Sequence, residues 1–147
     1  MLSISHSLTG ALVATTLHPL LVVPTIFATH YLEDWIPHWD VGTGLSSGKR
    51  KRQTAILLEL GELVITGILL YYFFQVGHEG VAWAAWIGGF IGLVPDFLEA
   101  PRNFLHWEPK IFKPLNNVHQ AFHHSTPNIL VGMAPQLFLW WAIWWLR

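Results

Sequence analysis

The chain has 147 residues, 52% of them hydrophobic and only 12% charged, with nine Trp and a formal charge of -1. Soluble domains carry about 25% charged residues, so this composition points to a single transmembrane helical domain over residues 1–147, with no separate soluble domain. The charge gives no case for nucleic acid as a partner, and the absence of cysteine excludes disulfides and thiolate ligands, so any metal must bind through nitrogen and oxygen.

Taken in order, the N-terminal Met1-Leu2-Ser3-Ile4-Ser5-His6 lacks the positive n-region of a signal peptide, and the first apolar segment is expected to be retained. His18-Pro19 and Pro24 punctuate the apolar stretch from Ser7 to Trp35. Proline removes a backbone donor and clashes with the preceding turn, so the pattern predicts two short helices, roughly 3–17 and 20–36. At 1.5 Å per residue each is ~22–26 Å long, short for a hydrocarbon core of about 30 Å. The two are expected to form a hairpin, partly re-entrant at that length, and a single bent helix is the alternative.

Residues 37–53, with three glycines, Ser46, Ser47 and the basic run Lys49 to Arg52, read as a polar loop. Thr54 to Val76 is the clearest span, Gly77-His78-Glu79-Gly80 a tight turn, and Val81 to Leu98 the next span. In that second span Gly88, Gly89 and Gly92 offer the close helix contacts that small residues permit in lipid. Ala100 to Val118, broken by Pro101, Pro109 and Pro114, is expected to lie along the interface, and Asn128 to Leu146 is the last span, closed by Trp140, Trp141, Trp144 and Trp145. The fold class is therefore all-α, an integral membrane bundle of about five short helices.

Seven of the eight Lys and Arg fall within 37–53 and 99–127. The positive-inside rule makes both segments cytoplasmic, in an inner membrane, with the N-terminus on that face. Threading the helices from there delivers His6, His30, Asp34, His38, Asp40 and both Glu59 and Glu62 to the cytoplasmic layer. Asp96, Glu99, His119, His123 and His124 arrive in the same layer from later elements. Ionisable groups inside spans are costly enough to be functional by default. His18, His78, Glu79 and His106 read as structural.

The local spacings agree with a shared site. His30 and Asp34 are four apart on one helix face, as are His119 and His123, and Asp96 and Glu99 are three apart. Pro37 disturbs the helix ahead of His38 and Asp40. Helical pairs of this kind hold metal in carboxylate-bridged bundles. The structural alternatives are an ion pair for His30 with Asp34, a helix cap or an Arg102 pair for Asp96 with Glu99, and a polar interfacial cluster for the later histidines. Glu59 and Glu62 read equally as ligands, as outer partners of histidine ligands, or as snorkelling side chains.

The run His30-Tyr31-Leu32-Glu33-Asp34-Trp35-Ile36-Pro37-His38-Trp39-Asp40 has His6 ahead of it, and Pro95-Asp96 and His119-Gln120-Ala121-Phe122-His123-His124 after it. Together they resemble small bacterial membrane proteins classed as metal-dependent hydrolases, similar to the LexA-regulated inner-membrane hydrolase group. The resemblance implies His6, His30, Asp34, His38, Asp40, Asp96, His119 and His123 as site residues. The chain departs from the wider group in having Pro37-His38-Trp39-Asp40 where Asp-x-Asp-His is usual, and His123-His124-Ser125-Thr126 where Thr-His-Ser is usual.

These readings converge on one expectation: one or two divalent ions, zinc or manganese, bound by His6, His30, Asp34, His38, Asp40, Asp96, His119, His123 and His124. They would serve hydrolysis of an ester or phosphoester, with Glu99 or Glu62 as general base and a lipid or lipid-linked substrate suggested by the site's location. The rival readings are a membrane di-iron oxidase or desaturase, for which His119 to His124 resembles one histidine box, and a non-enzymatic metal-binding scaffold or carrier.

Overall fold

The computed structural model describes residues 1–45 and 47–147; Ser46, read above as loop, lies outside them. The described residues are all-α: α1 Ser3–Thr16, α2 Pro19–Trp35, α3 Arg52–Leu70, α4 Trp83–Leu105, α5 Lys113–Phe122 and α6 Ile129–Leu146. A π-helical turn, Tyr71–Gln75, extends α3. Pro19 stands at the start of α2, where its missing N–H costs nothing, so the first two helices form the expected hairpin.

Helix α1 is the axis of the bundle, packed against α4 along its length and covered by α2, α3 and α6. Small residues permit the α1–α4 approach. A Cβ at Gly88 would overlap the Gly10 carbonyl and Ala14, and one at Gly92 would overlap the His6 carbonyl.

The distribution of polarity is inverted relative to a water-soluble domain. Ser3, Ser5, His6 and Ser7 of α1 are buried, as are His30, Asp34 and Gln136, while large apolar side chains of α3, α4 and α6 face outward. Two helical stretches, Arg52–Gln75 and Ile129–Leu146, are long and apolar enough to cross a membrane.

Two expectations are corrected. Helix α4 does not stop near Leu98 but runs to Leu105 through Pro95 and Pro101. Each proline removes a single backbone donor, and the bonds on either side suffice to carry the helix on. It closes at His106, whose left-handed backbone (φ 54°) lets the following Trp107 N–H reach the Pro101 carbonyl at 3.2 Å. The broken interfacial stretch is therefore shorter than expected, and α5 is a sixth helix, entered through Pro114 in its first turn.

The Pro37–Asp40 segment is clamped by backbone. His38 N–H donates to His124 O at 3.1 Å and His38 O accepts from Thr126 N–H at 2.7 Å, a short parallel bridge joining the end of α2 to the end of α5. Trp39 N–H donates to Gly132 O at 3.2 Å, and a Cβ at Gly132 would overlap Trp39. Segments separated by more than eighty residues thus meet at one end of the bundle.

Candidate metal centre

Asp34 lies at the centre of that end and is fully buried. Its Oδ1 is 3.2 Å from His6 Nε2 and 3.7 Å from His38 Nε2; its Oδ2 is 2.8 Å from His119 Nε2 and 3.5 Å from His30 Nε2. Asp96 Oδ1 completes this side, 3.7 Å from His30 Nε2 and 3.5 Å from His119 Nε2. On the other side His38 and His123 bring their Nε2 atoms within 3.2 Å of each other, and Asp40 Oδ2 lies 3.4 Å from the first and 3.5 Å from the second. The donors therefore fall into two groups able to hold an ion, His6, His30, Asp34 and Asp96 in one and Asp34, His38 and His123 in the other, with Asp34 common to both.

The protonation of the imidazoles follows from their outer partners. His30 Nδ1 is 2.9 Å from Gly92 O and His38 Nδ1 is 2.8 Å from Ile36 O. A carbonyl only accepts, so each Nδ1 carries the proton and each Nε2 presents a lone pair inward. His6 Nδ1 stands 2.8 Å from Glu33 Oε2 and His119 Nδ1 stands 3.0 Å from Glu99 Oε2, ion-pair distances without hydrogen-bonding geometry, so neither Nδ1 has a hydrogen-bond partner. Burial lowers the His123 imidazole to about 4, so it too is neutral at pH 7.

The Nε2 atoms of His30 and His119 lie 3.3 Å apart and those of His38 and His123 3.2 Å apart, close enough either to share a proton or to hold a cation between them. The buried Asp40 Oδ2 has no hydrogen-bond partner, which is the condition of a carboxylate oxygen aimed at a cation. The α-ammonium of Met1, buried against Asp34 and 3.0 Å from His6 Nε2, is a positive charge in that region. Nitrogen and oxygen donors of this kind suit a divalent ion.

Of the nine sequence-predicted metal ligands, the structure gathers eight: His6, His30, Asp34, His38, Asp40, Asp96, His119 and His123. His124 is not among them. Helix α5 ends at Phe122, so the next residues leave the helical register, and the exposed His124 bonds its Nδ1 to Phe122 O at 2.7 Å.

The two expected bases also have definite places. Glu99 pairs with Arg102 through Oε1, the pairing weighed above, and its Oε2 lies 3.0 Å from His119 Nδ1. Glu62 accepts from Ser3 N–H, and Glu59 accepts from Ser3 Oγ–H at 2.9 Å, both carboxylates meeting the positive end of the α1 dipole.

Beside the cluster lies a cavity of about 680 Å³. Asp40, Asp96 and His123 open on it, as do Glu59 and Glu62 from α3. His106, read from sequence as structural, caps α4 and also borders this cavity.

Sequence reasoning missed Glu33 and Gln136. The Gln136 amide is fully buried; its Oε1 accepts from Leu2 N–H at 2.8 Å and Ser5 Oγ–H at 3.2 Å, and its Nε2 donates to Trp39 O at 2.8 Å and Gly132 O at 2.9 Å. One side chain thus ties α1 to the Pro37–Asp40 segment. A single amide in an otherwise apolar span was the available signal.

No family model, no curated protein and no solved structure matches this chain.

Proposed function

We propose that this chain is a membrane-embedded, metal-dependent hydrolase acting on an ester or phosphoester at the cytoplasmic face of an inner membrane. The observation that carries the reading is the convergence of outward-anchored imidazoles on Asp34 beside an open cavity. The Nδ1 atoms of His30 and His38 are held by backbone carbonyls, those of His6 and His119 lie beside Glu33 and Glu99, and all four Nε2 atoms face the Asp34 carboxylate. A closed structural site would present no donors to a cavity; here Asp40, Asp96 and His123 line one.

The membrane part of the reading is supported by the inverted polarity and the two long apolar helices, whose outward residues include Leu60, Val64, Leu130, Leu137 and Trp141. The orientation rests on the seven Lys and Arg in segments 37–53 and 99–127.

His6, His30, Asp34, Asp96 and His119 would hold one divalent ion, and His38, Asp40 and His123 with Asp34 a second, zinc or manganese fitting the donor set. When bound, such an ion supplies Lewis acidity, which acidifies water and polarises the ester or phosphoryl oxygen. The protein's own residues divide the remaining work. Glu33 and Glu99, the carboxylates beside the Nδ1 atoms of His6 and His119, would orient those rings toward an ion. Glu62, on the cavity wall, is the carboxylate placed to move a proton, whereas Glu99 is already engaged by Arg102 and His119.

The test is the metal content, by mass spectrometry, of detergent-purified protein, followed by hydrolysis of p-nitrophenyl esters and bis-p-nitrophenyl phosphate. Wild type is expected to carry a transition metal, to lose the share held by His38 and His123 in His38→Ala and His123→Ala, and to hydrolyse one substrate class only when loaded. A wild-type chain that takes up no zinc, manganese or iron on reconstitution overturns the reading.

A further inference from the structure

We infer that the cavity beside the histidine cluster admits a long-chain lipid with a phosphate headgroup, which enters sideways between α3 and α4; this rests on the hydrolase reading and names its substrate class.

The cavity lies along the seam of two antiparallel helices. Helix α3 contributes Glu59, Glu62 and Leu63 to it, and α4 contributes Asp96, Phe97 and Phe104. Leu63 and Phe97 make one stretch of the wall apolar, next to the donors Asp40, Asp96 and His123. A second cavity of about 480 Å³ shares Phe104 with the first and is bordered by Lys51, Arg52 and Ile56. Arg52 also reaches across the seam to the Phe104 carbonyl at 3.3 Å.

Along α3 the order is therefore cationic at Lys51 and Arg52, carboxylate at Glu59 and Glu62, apolar at Leu63. From Arg52 to Leu63 the helix rises ~16 Å, more than the ~5–8 Å depth of a headgroup layer, so a phosphate held at Arg52 leaves Leu63 at the level of the acyl chains. A phospholipid standing in a bilayer has the same order: anion at the surface, ester linkages beneath, hydrocarbon below. Seated on the seam, its phosphate meets Lys51 and Arg52 and its tails meet Leu63 and Phe97. Its ester region then lies between these two levels, in the cavity that Glu59, Asp40, Asp96 and His123 line. A small soluble phosphate monoester matches this surface poorly, because Glu59, Glu62 and Asp96 repel it and no apolar contact compensates.

The test uses the full-length, zinc-loaded chain in detergent and displacement of a fluorescent-chain phosphatidate. Competitors are dioleoyl phosphatidate, dibutanoyl phosphatidate and dioleoylglycerol, and the variants are Leu63→Trp, the double change Lys51→Ala with Arg52→Ala, and Leu130→Trp on the outer face of α6 as control. Dioleoyl phosphatidate is expected to compete at least about 100-fold better than the dibutanoyl form, because each buried methylene adds affinity. It should compete about 10-fold better than dioleoylglycerol. Leu63→Trp and the double variant should each weaken it about 10-fold, and Leu130→Trp should leave it unchanged. Equal competition by the short-chain form identifies a soluble phosphate ester as the occupant and overturns the inference. Equal effects of Leu63→Trp and Leu130→Trp identify nonspecific lipid at the protein surface and also overturn it. Zinc content of the same samples separates the two claims. A chain that holds zinc without the tail and seam dependence refutes the lipid inference alone, and one that shows that dependence without zinc refutes the hydrolase reading alone.

Discussion

His38 and His123, 85 positions apart in the chain, point their Nε2 atoms at each other across 3.2 Å, with the unpartnered Oδ2 of Asp40 beside both. His38 gives its Nδ1 proton to the Ile36 carbonyl, so its neutral ring turns an acceptor Nε2 toward His123 Nε2. On the proposed metal reading, Asp40→Asn, which keeps shape while removing charge, should weaken metal binding on this side while sparing the His6, His30 and Asp96 side. Metal stoichiometry measured at limiting zinc checks this; an unchanged isotherm in Asp40→Asn would sink it.

The carboxylates behind the ligands lead to a second expectation. Glu33→Gln and Glu99→Gln leave the donor atoms in place but loosen His6 and His119, and outer partners of this kind typically contribute about 10–100-fold in metal affinity. Both variants should lose that much by competition with a fluorescent chelator. Were Glu99 instead the general base, Glu99→Gln would cut turnover of the fully loaded protein with metal affinity intact, so the two readouts decide its role.

The α1–α4 contact makes a steric prediction. Gly92→Ala pushes a methyl into the His6 carbonyl, while Gly61→Ala on α3 meets no neighbouring atom within 4 Å. Overpacking a close backbone contact costs about 1–3 kcal/mol, and replacing an unconstrained helical glycine gains up to about 1 kcal/mol. Thermal unfolding in detergent should fall for the first and hold or rise for the second. Because His6 moves with the contact, Gly92→Ala should also bind metal more weakly.

Much of this architecture can be read from residue order. Prolines at 19 and 37 bracket the second helix, and spacings of four place His30 with Asp34 and His119 with His123 on common faces. Gly88 and Gly92 announce a close helix partner. Which faces would meet is not in the spacing: Glu33 is one position from Asp34 yet turns to His6 on another helix, and Gln136 gains its meaning only when Trp39 and Leu2 arrive beside it. Helix ends depend on bonds that composition does not display. Pro101 suggested a break that the flanking bonds of α4 override, and His124 left the cluster because α5 ends two residues before it.

Gln136 is itself a test of that long-range order. Gln136→Leu keeps the volume but strands the buried Leu2 N–H and Trp39 O, each unsatisfied group costing about 1–3 kcal/mol. Unfolding at a lower temperature would follow from structure alone. A positioning role predicts more: weaker metal binding through the loosened Pro37–Asp40 segment, restored in part by Gln136→Glu, which keeps the acceptor for Leu2. Metal affinity unchanged in Gln136→Leu would leave only the structural role.

Metal removal should be felt as instability, because stripping the cluster leaves inward lone pairs and carboxylates facing one another with Asp34 between them. A ligand that binds only the folded state stabilises it by RT ln(1 + [L]/Kd), about 2.7 kcal/mol at a hundredfold excess over Kd. Thermal unfolding of chelator-treated protein should therefore rise with added zinc or manganese and should not respond to magnesium, which binds imidazole poorly. Asp34→Asn removes the oxygen charge common to both groups, so the metal-dependent increment should vanish in that variant. A wild-type midpoint indifferent to zinc, manganese and chelator alike would mean that the histidines form a polar network needing no ion.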